Sequence, residues 1–159
     1  MTRIGIGYDS HRLGAGRRLV IGGVELPGER GLEGHSDADV LTHALIDALL
    51  GAAGLGDIGG RFPDSEERWR DADSIELLES VLGSVIAAGL QIVNVDCTVV
   101  LETPKLAPHR EAIRQRLASA LELESGRVNV KASSGEGMGF VGRGEGVAAL
   151  AIVNLRHAG

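Results

Sequence analysis

The stretch that decides the fold runs from Gly34 to Gly51 and reads GHSDADVLTHALIDALLG. Ser36 or Asp37 can cap the free N–H groups at its start, and Asp39 sits in the first turn, where the helix dipole favours an anion. We therefore expect a central helix from Ser36 to Leu50. Its wide apolar face consists of seven residues at helical spacing, namely Val40, Leu41, Ala44, Leu45, Ala48, Leu49 and Ala52.

A polar stripe crosses this otherwise apolar helix. Asp39, His43 and Asp47 are each one helical turn apart, so their side chains share a face. Buried polar groups are costly unless they have partners, which leaves two interpretations. In the first, His43 binds a metal ion and Asp47 accepts the second ring N–H of His43. In the second, the stripe makes ordinary His–Asp hydrogen bonds and Asp47 is a surface carboxylate.

Length and composition limit the classes of protein. The chain has 159 residues, 43% of them hydrophobic, which fits one globular domain over residues 1–159. A net charge of −6 argues against nucleic acid, whose phosphates need a basic surface. Cys97 is the single cysteine, which indicates a reducing compartment. The chain has no apolar run that could span a membrane and no room for a signal peptide, so we expect a cytoplasmic protein.

The rest of the chain alternates predicted strands and helices. Strands are predicted at Arg3–Tyr8, Leu90–Leu101, Arg127–Ala132 and Gly146–Leu155, a hairpin at 18–26, and helices at 74–88 and from Pro108 to about Leu121. This pattern predicts an α/β (α+β) fold, a four-stranded mixed sheet with helices on one face. The last strand is apolar on both faces, and three helices cover only one face of such a sheet. We therefore expect the other face to pack in a homo-oligomer.

A constellation of three residues is the sharpest chemical signal. Asp9 and His11 are two residues apart at the end of a strand, so their side chains point the same way, and the central helix supplies His43. One carboxylate and two imidazoles, with the fourth position open, are typical of a catalytic rather than a structural zinc site. The same spacing also arises by chance, so metal binding and a purely structural role both stay open.

Three other segments are functional candidates. Residues 132–146, ASSGEGMGFVGRGEG, are interpreted as an anion-binding turn, and a flexible hairpin is the alternative. Residues 54–73 lack any helical or strand period, which favours an active-site flap. Lys105 precedes a predicted helix and is either a phosphate ligand or a solvated lysine. Two GxGxxG patterns do not predict a dinucleotide site, because neither lies between a strand and a helix.

Eight segments occur in the order found in one enzyme family, namely GYDSHR, IGGV, GHSDADVLTHALIDALLGA, GDIG, FPD, TPKLAPH, VNVKAS and GFVGRGEG. They cover essentially the whole chain, which thereby resembles the 2-C-methyl-D-erythritol 2,4-cyclodiphosphate synthases of the non-mevalonate isoprenoid pathway. The resemblance implies a lyase whose substrate is 4-diphosphocytidyl-2-C-methyl-D-erythritol 2-phosphate. The 2-phosphate attacks the β-phosphorus, a cyclic diphosphate closes and CMP is released.

The resemblance also implies roles for individual residues. Zn²⁺ is held by Asp9, His11 and His43, and Mg²⁺ or Mn²⁺ by Glu136 together with the substrate phosphates. The implied catalytic pair is His35 and Ser134. The implied substrate-binding residues are Asp9, His11, His35, Ser36, Asp57, Ile58, Gly59, Phe62, Pro63, Asp64, Ser65, Glu66, Leu101, Pro104, Lys105, Leu106, Ala107, Ser133, Ser134, Gly135, Glu136, Phe140 and Arg143. Gly135 stands where the family often has a threonine, so one side-chain contact is missing.

The partners implied by the resemblance are further copies of the chain. The family forms homotrimers with active sites between subunits, and an isoprenoid diphosphate can occupy a central cavity near the positions of Arg143 and Glu145. Neither nucleic acid nor a membrane is expected as a partner. Two alternative functions stay open: a zinc-dependent phosphoesterase that cleaves a nucleoside diphosphate with water, and a trimer that only binds isoprenoid diphosphates.

Overall fold

The computed structural model describes residues 1–159 and contains seven strands. These are β1 (Thr2–Ala15), β2 (Leu19–Ile21), β3 (Val24–Leu26), β4 (Arg30–Leu32), β5 (Leu90–Val100), β6 (Val128–Ser133) and β7 (Gly146–His157). Five of them form one sheet in the order β4-β1-β7-β5-β6, and β2 pairs with β3 in a separate hairpin. Only β5 and β6 are parallel, so the sheet is mixed.

Five helices connect these strands. They are α1 (Val40–Ala53), α2 (Ile58–Arg61), α3 (Ser74–Ala87), α4 (Arg110–Ala120) and α5 (Gly139–Gly142), with 3₁₀ turns at Glu67–Trp69 and Ser125–Arg127. None of the helices combines the length and the apolar character that a membrane crossing requires. The predicted order of helices and strands is confirmed. The stretch at 54–73, which shows no period in the sequence, holds two short helical turns, α2 and the 3₁₀ turn at Glu67–Trp69.

The sheet has one strand more than the four that the sequence predicts. The additional strand is β4 at the edge, where Leu13 pairs with Leu32. β4 is only three residues long and has no alternation, so its sequence carries no strand signal. β1 also continues well past the predicted end at Tyr8, because it pairs with β7 as far as Arg12 and then with β4.

Helix α1 begins at Val40, later than the predicted start at Ser36. Ala38 has a φ of 56°, which lies outside the right-handed helical region and keeps the preceding residues out of the helix. Asp39 is the N-cap, and its side chain accepts a hydrogen bond from the Thr42 N–H at 3.0 Å. The polar stripe thus starts with the capping residue and not within the first turn.

The Asp39 carboxylate also joins α1 to the β2–β3 turn. It is fully buried and accepts the N–H groups of Gly22 and Gly23 at 2.8 and 2.7 Å, together with the Thr42 hydroxyl at 2.7 Å. Burial raises the pKa of the Asp39 carboxyl, and the hydrogen bonds to Thr42, Gly23 and Gly22 counteract that rise. These bonds supply the partners that a buried carboxylate requires and place the start of the helix.

Helix α1 lies closer to β1 than ordinary side chains allow. A Cβ atom on Gly7 would lie 1.8 Å from the Ala44 carbonyl oxygen, and one on Gly5 would lie 2.0 Å from that of Ala48. Glycine at these two positions lets the helix backbone rest directly on the strand. The same contact carries the side chains of α1 to the end of β1, where two of the predicted metal ligands lie.

The helices cover one face of the sheet and leave the other uncovered. Forty-one buried residues form a hydrophobic core between the helices and the inner face. The outer face exposes five large apolar side chains, with exposed fractions from 36% to 72%, namely Ile4, Ile6, Tyr8, Leu150 and Ile152. Ile6 pairs with Ile152 and Tyr8 with Leu150, so the five form a continuous patch. This patch is the uncovered apolar face that the sequence predicts.

The glycine contact makes a testable prediction. Gly7→Ala forces a Cβ atom into the backbone of α1, so we expect the free energy of unfolding to fall by about 3 kcal/mol. Gly51→Ala is the matched control, because Gly51 lies in α1 itself with nothing near its Cβ position. That variant should gain up to about 1 kcal/mol from helix propensity. Urea denaturation measures both values, and equal stability of the two variants would contradict the packing described.

Candidate active site

Asp9, His11 and His43 form one cluster of potential metal ligands. Asp9 Oδ2 lies 2.9 Å from His11 Nε2 and 3.1 Å from His43 Nδ1, and the two nitrogens are 3.2 Å apart. Asp9 and His11 come from β1, and His43 comes from the first turns of α1. The structure therefore brings together the three ligands that the sequence predicts.

Both histidines have a fixed partner on the ring nitrogen that points away from the cluster. His11 Nδ1 is 2.9 Å from the Glu33 carbonyl oxygen, to which it donates, and His43 Nε2 is 2.8 Å from Ser74 Oγ. An imidazole that donates through one nitrogen presents a lone pair on the other. A neutral ring that keeps its proton on this outer nitrogen can offer the lone pair of its inner nitrogen to a metal ion beside Asp9.

The prediction that Asp47 orients His43 is wrong. Asp47 Oδ1 accepts the Ile58 N–H at 2.9 Å and so holds the start of α2 against α1. One helical turn places Asp47 and His43 on the same face, but the side chains diverge because each meets a different neighbouring segment. Ser74, at the start of α3, takes the place that the sequence assigns to Asp47.

The donor set fits a tetrahedral divalent metal with an open position. Ligand atoms about 2.0 Å from a tetrahedral zinc ion lie about 3.3 Å from one another, and the three observed separations are close to that value. Two neutral imidazoles and one carboxylate are also the ligand types that zinc prefers when the fourth position serves a substrate. The arrangement can therefore hold a metal ion beside a ligand in the adjoining cleft.

The electrostatics of the cluster favour a cation. Burial raises the pKa of the Asp9 carboxyl, but the hydrogen bonds to His11 and His43 outweigh it and lower the pKa to about 2. Burial lowers the pKa of His11, but the hydrogen bond to Asp9 outweighs that effect and raises it. Asp9 is thus ionised at neutral pH, and its negative charge lies at the point where the two imidazoles converge.

A cleft of about 520 Å³ opens above the cluster. Nine further lining residues are predicted substrate contacts or their neighbours in the flap, namely His35, Ser36, Ile58, Gly59, Phe62, Pro63, Asp64, Ser65 and Trp69. Two predicted contacts, Asp57 and Glu66, do not line it. Asp57 caps α2 by accepting the Gly60 N–H at 2.8 Å, and Glu66 pairs with Arg68 at 2.5 Å. We call this space the metal cleft.

A second cleft of about 190 Å³ lies at the ends of β5 and β6. Apart from Ala132, it is lined by residues that the sequence predicts, namely Leu101, Pro104, Lys105, Leu106, Ala107, Ser133 and Ser134. We call it the nucleotide cleft, after the role that the resemblance implies. It shares no lining residue with the metal cleft, so within one chain the two halves of the predicted site are separate.

Besides Asp57 and Glu66, four more predicted residues line neither cleft. Glu136 has a φ of 51° and accepts the Ser134 hydroxyl at 3.0 Å, which places it beside the nucleotide cleft and apart from the metal cluster. Gly135 donates its N–H to Glu102 at 2.6 Å and packs against Gly142 so closely that a Cβ atom would lie 2.6 Å from the Gly142 nitrogen. Phe140 and Arg143 are exposed, and Arg143 pairs with Glu145 at 2.7 Å.

Sequence reasoning misses Trp69 in the metal cleft and Ser74 behind His43. Trp69 is the single tryptophan, packs edge-on against Phe62 with ring centroids 5.0 Å apart, and lines the cleft. Its position in the aperiodic stretch is the only signal that could have found it. Ser74 sits at a predicted helix start, where serine is ordinary, so nothing in the sequence distinguishes it.

Known proteins share both the sequence and the fold of this chain. Residues 2–156 match the YgbB family. The chain belongs to the YgbB family. A YgbB relative, the 2-C-methyl-D-erythritol 2,4-cyclodiphosphate synthase of Syntrophomonas wolfei, is 55% identical over 156 residues, which are 98% of this chain and 99% of the relative.

Two solved structures resemble this YgbB fold closely. A 2C-methyl-D-erythritol-2,4-cyclodiphosphate synthase in its CDP-bound form has a TM-score of 0.89 and 40% identity, over 97% of this chain and 100% of the other. The bifunctional IspDF from Campylobacter jejuni has a TM-score of 0.96 and 42% identity. That match covers 99% of this chain but only 43% of the longer bifunctional protein.

The contrast between His43 and Asp47 tests the cluster in this YgbB chain. We expect His43→Ala to lose its equivalent of Zn²⁺ on dialysis, because two ligands from one strand do not hold the ion. Asp47→Asn should keep full occupancy, since Asp47 contacts Ile58 and not the cluster. Metal analysis by mass spectrometry measures both variants. Stoichiometric zinc in His43→Ala would contradict the assignment.

Proposed function

We propose that this protein converts 4-diphosphocytidyl-2-C-methyl-D-erythritol 2-phosphate into 2-C-methyl-D-erythritol 2,4-cyclodiphosphate and CMP, in non-mevalonate isoprenoid biosynthesis. One observation carries the proposal: a metal-ligand cluster opens into a cleft, in a chain that matches a synthase of this name over almost its full length. We further propose that residues 1–159 act as one catalytic domain. The single core of 41 buried residues supports that view.

The chemistry explains why the chain offers ligands and anion-binding groups rather than a nucleophile. An oxygen of the 2-phosphate bonds to the β-phosphorus, and the bond from the β-phosphorus to the oxygen that leaves with CMP breaks. The attacking oxygen is already ionised, so no general base is needed, and the main obstacle is repulsion between negative charges. Zn²⁺ at the cluster, with Mg²⁺ or Mn²⁺ at Glu136, would act as Lewis acids that neutralise this charge.

The metal cleft is proposed to hold the methylerythritol phosphate part of the substrate. His35 and Ser36 lie at the start of the segment that leads into α1 and face the cleft, where their side chains can orient the phosphate that attacks. Residues 57–59 are proposed to hold the sugar hydroxyls, and the flap at 62–66 to cover them. Phe62 is buried and braced by Trp69, which gives the flap a firm base.

The nucleotide cleft is proposed to hold the cytidine diphosphate part. Lys105 is exposed at its edge and can pair with a phosphate, while the Ser134 hydroxyl can donate to the phosphate that gains charge. In the structure that hydroxyl donates its one proton to Glu136, and a second metal ion bound at Glu136 would lie close to it and leave the proton free for the phosphate. The solved CDP-bound synthase, 40% identical to this chain, supports a cytidine diphosphate ligand.

A homotrimer is proposed to complete the site. The two clefts share no residue within one chain, which agrees with a site built from the metal cleft of one subunit and the nucleotide cleft of the next. The exposed apolar patch on the outer face of the sheet supplies a surface that assembly would bury. Packing of this face around a threefold axis would bury the patch in a closed assembly, as the resemblance implies.

Two finer parts stay predictions. An isoprenoid diphosphate in a central cavity would need a cationic group, and Arg143, exposed and paired with Glu145, is the proposed one. A cytoplasmic location is supported by Cys97, which is buried and has no partner cysteine. Burial raises the pKa of the Cys97 thiol to about 12, so it stays protonated and unreactive.

The product identifies the reaction. Phosphorus NMR of the purified protein with the substrate, Zn²⁺ and Mg²⁺ should show a cyclic diphosphate and CMP in equal amounts. Chelator treatment should abolish turnover, and added metal should restore it. A linear phosphate with CMP would instead show that water is the nucleophile, and absence of the cyclic product under every metal condition would refute the proposal.

Mixing two inactive variants tests the shared site. His43→Ala removes a metal ligand from the metal cleft, and Glu136→Ala removes the carboxylate beside the nucleotide cleft. Homotrimers of either variant should therefore be inactive. Random trimers from co-refolded equal amounts should regain about a quarter of wild-type activity, because each mixed trimer has one intact junction. Native mass spectrometry confirms that mixed trimers form. Mixed trimers without activity would contradict a site shared between subunits.

A further inference from the structure

The outward-facing nitrogen of His43 lies against two hydroxyl groups. His43 Nε2 is 2.8 Å from Ser74 Oγ and 3.1 Å from Ser36 Oγ, whereas Nδ1 faces Asp9. An imidazole whose Nδ1 lone pair serves a metal ion carries its proton on Nε2 and must donate it. Loss of the acceptor would leave that N–H unsatisfied and the ring free to turn. One of the two hydroxyls is therefore needed as a hydrogen-bond acceptor.

Ser74 is held as an acceptor by Asp37. Ser74 is fully buried at the start of α3, and its hydroxyl donates to Asp37 Oδ1 while its backbone N–H donates to Asp37 Oδ2 at 2.9 Å. A serine hydroxyl has one proton to give, and Asp37 receives it. The remaining lone pairs of Ser74 Oγ then face the Nε2–H of His43.

Asp37 is in turn held by the backbone. Its Oδ1 also accepts the Asp39 N–H at 3.1 Å, so the carboxylate bridges the segments that begin α1 and α3. Asp37 Oδ1 lies 4.0 Å from His43 Nε2. A negative charge at that distance stabilises a proton on Nε2, so Asp37 and the Ser74 oxygen together counter the pull of Asp9, which lies 3.1 Å from Nδ1.

Ser36 is held much less firmly than Ser74. It is partly exposed in the metal cleft, and apart from its contact with His43 its oxygen accepts one long hydrogen bond of 3.4 Å from the Ala38 N–H. No carboxylate takes its hydroxyl proton. Ser36 is consequently able to turn towards a bound phosphate without releasing His43, provided that Ser74 stays in place.

We propose that Ser74, with its hydroxyl proton held by Asp37, is the positioning residue that sets the tautomer and orientation of His43 for metal binding. The inference rests on the proposed metal site. It adds that α3 supports this site through the hydrogen bond between Ser74 and His43. Partners of metal-binding histidines typically change metal affinity by about 10- to 100-fold when they are removed. We expect an effect of that size at Ser74.

Variants of Ser74 separate the hydroxyl from the shape of the side chain. Ser74→Ala removes the hydroxyl and keeps the backbone bond to Asp37. Ser74→Val and Ser74→Thr have nearly equal volumes, and only the threonine retains a hydroxyl. Ser80→Ala, at an exposed position of the same helix, is the control for serine loss in α3. Zinc affinity is measured by competition with a chromophoric chelator, and Co²⁺ replaces zinc for visible spectroscopy.

The expected result is a 10- to 100-fold loss of zinc affinity in the alanine and valine variants, with an altered Co²⁺ spectrum. Threonine should retain higher affinity than valine, and Ser80→Ala should equal the wild type. Thermal unfolding of the metal-free proteins registers any general fold defect separately. If Ser74→Ala binds zinc within twofold of the wild type with an unchanged Co²⁺ spectrum, the positioning role is refuted while the metal site stands. A wild-type protein that binds no zinc would refute both.

Discussion

The contact between α1 and β1 is the constraint on which the site depends. Gly5 and Gly7 have no side chains, so the helix rests on the strand backbone, and a methyl group at either position would collide with a helix carbonyl oxygen. That closeness places His43 within 3.2 Å of the ligand atoms of Asp9 and His11. A helix displaced by one side-chain layer, about 2 to 3 Å further from the sheet, would leave the carboxylate and His11 without their third partner.

Hydrogen bonds of three carboxylates keep α1 from rotating about its axis and from sliding along it. The Asp39 carboxylate ties its first turn to the β2–β3 hairpin, and Asp47 ties its middle to α2. Asp37 joins the start of α1 to Ser74 at the start of α3. Each carboxylate is satisfied by backbone N–H groups, so these bonds are directional and resist both rotation and sliding of the helix. The polar residues of an apolar helix thus serve as its attachments, and His43 alone among them faces the cluster.

Features of the fold and the site that neighbouring residues determine were predictable, whereas features that depend on contacts between distant segments were not. The spacing of Asp9 and His11 on a strand and the apolar face around His43 are local, so the sequence predicts both elements and the ligand cluster. The start of α1 is predicted too early because the left-handed conformation of Ala38 has no signal in its residue type. Ser74 and β4 are missed because their roles come from packing between distant segments. The relation between the two clefts is expected only from the resemblance, which implies sites between subunits, because within one chain the clefts share no lining residue.

Anomalous diffraction at the zinc edge, from crystals of the zinc-loaded protein, tests the central claim most directly. The account predicts one strong peak per chain, about 2.0 Å from Asp9 Oδ2, His11 Nε2 and His43 Nδ1, with the fourth position facing the metal cleft. His43 Nε2 should remain in contact with Ser74 in the same crystals. Crystals of active protein that show no peak between these three atoms, or a peak bound by other side chains, would contradict the account.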